Sequence, residues 1–182
     1  MLTTVKDGIE RSAIFDATGQ YRYSLERRWP AQSSMDRRKV TFIMLNPSRA
    51  DAQQDETTLR ACIQFAQVWE YNVLEVVNLF AYCTAEPKVL KTVKEPVGEA
   101  CDRYLLAATQ SSEKIILAWG NHGSWLNRDQ AVFKLLADQL TKLSCLACNQ
   151  SGQPRHPLYV PRNTLPVSYA PLERPEIFSM SS

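Results

Sequence analysis

The sequence has no hydrophobic run near the ~20 residues that a bilayer-spanning helix requires, so a membrane partner is not expected. Histidine is scarce, with two residues in 182. A zinc site draws on several His or Cys ligands at set spacing. The one C-x-x-C pair, Cys145-Leu146-Ala147-Cys148, has no second pair and sits in an apolar run, so no metal is expected. Glycine is sparse too, six residues in all, and none builds a phosphate-binding Gly-rich loop. A G-x-S-x-G elbow and a His-Glu-x-x-His pair are also missing, and no cofactor is implied. Charge of one sign is lacking: Lys plus Arg number 21 against 19 for Asp plus Glu. That balance neither shows nor excludes nucleic-acid binding on a local basic face. Residues 1–11 contain Lys6, Asp7, Glu10 and Arg11 and no apolar stretch of the signal-peptide kind. The five cysteines are odd in number and scattered, which reads as small core residues in a reducing compartment. A cytoplasmic location is the expectation.

What the sequence does contain is ordinary globular composition, 45% hydrophobic and 22% charged, at a length that suits one domain. A single α/β domain over 1–182 is expected, with its core at about 20–170 and both ends loosely ordered. Residues 21–25 alternate and read as an edge strand. Residues 40–45 are short, apolar and β-branched, as in a strand buried on both faces. Residues 73–79 and 114–119 repeat that composition, and 143–148 supply a fourth strand. Three segments carry apolar residues at helical spacing: 57–69, with Asp55 as its N-cap, 97–111 and 128–140. From Pro154 onward six prolines predict extended chain. This alternation predicts a three-layer αβα fold around a central, mostly parallel four-stranded sheet. In such sheets ligands bind outside the carboxyl ends of the strands.

Polar residues beside turn formers follow each of those strands. Asn46, in Asn46-Pro47-Ser48, is either a turn former or an amide that fixes a water or ligand. Ser48, Asp51 and Asp55 come next, and the two acids either satisfy backbone N–H groups at a helix start or serve a site. Asn78 interrupts the apolar run 73–81. A buried amide must find partners, either backbone groups of a neighbouring loop or the edge of a nucleobase, which it can read bidentately. Trp119, Gly120 and His122 follow the third strand. Glycines at 120 and 123 permit close backbone approach to a ligand, and equally fit a strand-to-helix loop. His156, preceded by Arg155, is either a packed or solvated residue or a donor to charge on a leaving group.

Four ordered motifs carry a resemblance: Leu45-Asn46-Pro47-Ser48-Arg49-Ala50-Asp51, Val77-Asn78-Leu79-Phe80-Ala81, Ala118-Trp119-Gly120-Asn121-His122-Gly123 and Gly152-Gln153-Pro154-Arg155-His156-Pro157-Leu158-Tyr159. Over residues 21–169 they resemble a bacterial and phage family catalogued as domain of unknown function family 1643. More distantly they resemble the uracil-DNA glycosylase superfamily. Its members carry, in order, a strand ending in a G-x-N-P-G or G-Q-D-P-Y type motif, an Asn-bearing loop, a Trp-Gly strand end and a His-Pro-Ser-type loop. The resemblance implies a uracil-DNA glycosylase-like fold and hydrolysis of an N-glycosidic bond to a modified or damaged base, in DNA or a nucleotide. Asn46 would then hold the attacking water, with Asp51 or Asp55 assisting. Asn78 would read the base, Phe80 or Tyr82 would stack on it, and Ser48 would lie beside them. His156 would stabilise the departing base. Trp119, Gly120, His122, Arg155 and Arg162 would form the pocket wall or hold phosphates. Ser48 stands where the superfamily has Gly or Tyr, and Leu158-Tyr159 where it has a second Pro-rich turn. The same pocket also suits a non-catalytic nucleobase or nucleic-acid binder.

Overall fold

Val40, Phe42, Ile43, Leu74 and Val77 are all at most 1% exposed, and burial on both faces makes their segments strands at the centre of a sheet. The computed structural model describes residues 1–6, 8–30, 37–48 and 55–170. Its strands are β1 Leu2–Lys6, β2 Ile9–Phe15, β3 Arg22–Arg28, β4 Lys39–Met44, β5 Val73–Asn78, β6 Lys114–Leu117, β7 Leu143–Cys145 and β8 Val167–Ser168. They form one sheet in the order β1-β2-β3-β5-β4-β6-β7-β8. The helices are α1 Thr57–Val68, α2 Pro87–Leu90, α3 Cys101–Gln110 and α4 Arg128–Leu135, with 3₁₀ segments at Asn121–Asn127, Ala137–Lys142 and Pro157–Tyr159. Among the described residues, no helix is long and apolar enough to cross a membrane.

This corrects the expected architecture. The sheet has eight strands rather than four, and it is mixed. Four of its pairings are antiparallel, against three parallel ones that join β5, β4, β6 and β7. Of residues 21–25, expected at an edge, 22–25 belong to β3, which pairs on one side with β2 and on the other with β5. The N-terminal end, expected to be loosely ordered, supplies β1 and β2. The cause is polarity. Every residue of β1 is exposed, so it shows no alternation. In β2 the buried positions include Arg11 and Ser12, which hides the apolar period that marks a strand, and in β3 they include Arg22, Ser24 and Arg27, which hides its burial between two neighbours.

Burying those groups requires partners. The Asp55 carboxylate accepts from Arg11 Nη1 at 2.7 Å and from Arg27 Nε at 2.9 Å. Glu75 accepts from the Ser24 hydroxyl and pairs with Lys39. Asp55, expected as a helix cap, is drawn into this network, and the N-cap of α1 is Glu56, whose side chain makes no capping bond.

Strand alternation sends Phe42, Val76 and Ile116 to one face, where α1 covers them with Leu59, Cys62 and Phe65. Ile43, Val77 and Leu117 go to the other face, under Leu105 of α3 and Val132 and Phe133 of α4. Helix α3 begins at Cys101 rather than at 97. Gly98 before it has φ +81°, and a Cβ there would meet the Tyr21 ring at 2.7 Å.

Candidate functional site

The carboxyl ends of β4, β5 and β6, the start of α1 and the loop around His156 border a cavity of about 630 Å³. Small-molecule sites span roughly 300–1,000 Å³. Met44, Val76 and Asn78 reach it from the sheet, on the face that α1 covers, with Leu59 and Cys62 opposite.

Asn78 ends β5 with its backbone paired in register with Met44 and its carbonyl accepting the Cys101 thiol. Its side chain is different. Only 3% of the residue is exposed, and neither Oδ1 nor Nδ2 has a hydrogen-bond partner among the described residues. A buried polar group left unpaired costs ~1–3 kcal/mol. An amide so placed can pair with a group that presents a donor beside an acceptor.

Asn46 has the opposite arrangement. Its Nδ2 donates to the carbonyls of Thr84 at 2.7 Å and Pro47 at 3.1 Å. A flipped amide would set oxygen against oxygen, so those two bonds fix the orientation. The Oδ1 atom remains as an acceptor on a cavity-lining residue.

His156 caps the 3₁₀ turn Pro157–Tyr159, its Nδ1 accepting from the Leu158 N–H at 3.3 Å. In the neutral ring the proton therefore sits on Nε2. Burial lowers the imidazole pKa below its ordinary 6.5. Above that value the group is neutral in both folded and unfolded chains and stability is unaffected. As pH falls through 6.5 toward the folded value, the unfolded chain takes up the proton first, so stability is lost. We expect urea unfolding at pH 5.5 and 7.5 to show an acid loss, at most about 1.4 kcal/mol per pH unit, that His156→Asn reduces.

The His156 loop is held from several sides. Trp119 Nε1 donates to Gln153 Oε1 at 2.6 Å, and Gln153 Nε2 donates to Asp129 Oδ2 of α4 at 2.7 Å. The Gly120 N–H donates to the Pro154 carbonyl, and the Arg155 N–H to that of Ala147. Trp119 and Gly120 line the cavity, and their polar groups also anchor the histidine. Gly123, expected to permit close approach to a ligand or to shape a strand-to-helix loop, lies in the connection from β6 to α4 and makes room there for Trp119: a Cβ would lie 2.0 Å from the indole.

Other placements differ from expectation. Phe80 is fully buried against Trp125, and Tyr82 packs edge-on to Tyr21; neither lines the cavity. Arg155 donates to Asn149 Oδ1 and the Cys148 carbonyl, while Arg162 donates to the Pro157 carbonyl and lies over Phe65. Both brace loops rather than line the cavity. Asp55 is absent from the lining, and Asp51 lies outside the described residues. His122 and Ser48 do line it.

Glu56, Arg22 and Tyr159 are among the lining residues that the sequence did not mark as site residues. Glu56 accepts from Ser48 Oγ at 2.7 Å; its signal was adjacency to Asp55, which drew the assignment instead. Arg22, 3% exposed, joins the wall from a strand expected at the edge of the sheet. Tyr159, 75% exposed, stands with its ring 5.9 Å from His156 and offers the aromatic face sought at Phe80 or Tyr82.

Among the described residues, no group of three or more His, Cys, Asp or Glu side chains could hold a metal ion. Cys145 and Cys148 lie with sulfurs 3.8 Å apart, and burial, then the neighbouring thiol, pushes Cys145 up to about 12, so it stays a thiol at neutral pH.

The family model described as "Protein of unknown function (DUF1643)" matches residues 22–158, more than half of the chain, and the chain belongs to that family. No curated protein and no solved structure matches it.

Proposed function

We propose that this DUF1643 protein recognises a nucleobase in its cavity and hydrolyses the N-glycosidic bond to it, acting on a modified or damaged base in DNA or in a nucleotide. The unpartnered amide of Asn78 carries the reading. A nucleobase edge presents the donor beside an acceptor that this group needs. As the bond breaks, the sugar gains oxocarbenium character and negative charge gathers on the base. The Nε2–H of neutral His156 is a donor suited to that charge. Asn46 Oδ1 accepts from the attacking water, and Tyr159 supplies a ring for the base to stack on, worth roughly 1–3 kcal/mol. A base within a duplex must first be flipped out, whereas a single strand or free nucleotide avoids that cost.

The test is incubation with DNA and nucleotides bearing uracil or modified pyrimidines, followed by detection of free base or abasic sites. Wild type should release base, and Asn46→Ala and His156→Ala should each abolish the release. Retention of activity in both variants would sink the assignment. A second reading, a binder that holds the base without cleaving it, draws on the same Asn78 amide, since recognition needs no reaction. Base binding without turnover by wild type would favour it.

A further inference from the structure

The cavity holds a chemical group that the roles of Asn46, Asn78 and His156 leave unused. Glu56 is the only acid among the described residues that line it. It sits at the start of α1, directly after Asp55, yet the two carboxylates have opposite fates. Both oxygens of Asp55 are taken by Arg11 and Arg27. Glu56 has no ion-pair partner among the described residues, and its one side-chain bond is the hydroxyl of Ser48 on Oε2. That bond ties a helix-borne carboxylate to the Asn46-Pro47-Ser48 turn and leaves Oε1 without a donor among the described residues.

Resting on the glycosidic reading above, we infer that Glu56 is the general base of the reaction and Ser48 its positioning residue. An amide can hold a water but cannot take its proton, so Asn46 alone leaves the nucleophile weak. A carboxylate does what the amide cannot: it accepts the proton and also favours positive charge developing on the sugar. In the step, the water oxygen forms a bond to the anomeric carbon while the carbon–nitrogen bond breaks, its electron pair leaving with the base. One water proton passes to Glu56, and the other stays on the new sugar hydroxyl. The base anion, held by the His156 Nε2–H, is protonated from solvent, and Glu56 returns its proton to solvent. Water and glycoside become sugar and free base, with nothing else consumed.

The experiment uses the full chain with oligonucleotides and nucleotides bearing uracil or modified pyrimidines. Glu56→Gln should lower kcat by roughly 10²–10⁴-fold with KM and thermal unfolding little changed, the usual contribution of general base catalysis. Glu56→Ala should be equally slow and regain turnover when formate is added, a rescue that a merely structural loss would not show. Ser48→Ala should lower kcat roughly tenfold, the scale of a hydrogen bond to a charged group, and Ser48→Thr should restore it. Turnover by Glu56→Gln within threefold of wild type overturns the assignment of Glu56 while base release by wild type still stands. Wild type that binds base but releases none overturns the glycosidic reading and the role of Glu56 together.

Discussion

Asn78→Leu is expected to make the protein more stable and worse at its task. Leucine has nearly the shape of asparagine, so the end of β5 and its packing beside Met44 and Val76 are kept. What disappears is an amide with two unpartnered atoms at 3% residue exposure. Removing that cost should raise stability by about 1–3 kcal/mol. In a chain of this length each kcal/mol moves the unfolding midpoint by roughly 2–4 °C. The same change removes a bidentate contact worth about 1–3 kcal/mol, so base affinity should fall roughly 5- to 150-fold. Calorimetric titration with a nucleoside that wild type binds, beside a thermal melt, reads both quantities. A variant less stable than wild type with unchanged affinity would mean that the amide serves the fold and not a ligand.

The second large effect falls on Asp55 and has the reverse signature. Asp55→Asn keeps the volume and removes the charge opposite Arg11 and Arg27, whose side chains are 10% and 0% exposed. Breaking a buried pair costs ~3–5 kcal/mol because the partner is left without its counter-charge. Asp55 retains 15% side-chain exposure, so the lower end applies, about 3 kcal/mol. Urea unfolding should show this loss, with a midpoint lower by roughly 6–12 °C in thermal scans. Base affinity of the folded variant should stay within twofold of wild type, since Asp55 does not line the cavity. Unchanged stability with lost turnover would instead return Asp55 to the chemistry.

These two residues mark where sequence reasoning reached and where it stopped. Asn78 was legible because a doubly buried strand shows itself as an unbroken apolar run, and a polar residue inside that run has to be accounted for. The same logic placed Asn46 after β4 and Gly120 after β6, at strand ends where three parallel pairings bring them to one cavity. Glu56 was not legible. It and Asp55 are neighbours with the same functional group, and no local pattern says which one turns toward the cavity. Arg11 and Arg27 decide it, from 44 and 28 residues away along the chain.

By itself the sequence determined which segments are doubly buried strands and which polar residues end them, because burial on both faces constrains every residue in such a run. The tertiary structure alone decided the rest. Arg11 of β2 and Ser24 and Arg27 of β3 are buried against polar partners far along the chain, so β2 leaves no apolar period. The alternation at 21–25 marks a strand without showing that it has a neighbour on each side. Phe80 or Tyr82 was the expected stacking ring, yet Phe80 follows a buried strand into the core and Tyr82 packs on Tyr21, while exposed Tyr159 arrives on the loop that Trp119, Gln153 and Asp129 hold in place. Local sequence sets where a strand ends; which side chains face the space beyond it depends on charges and packing supplied from elsewhere in the chain.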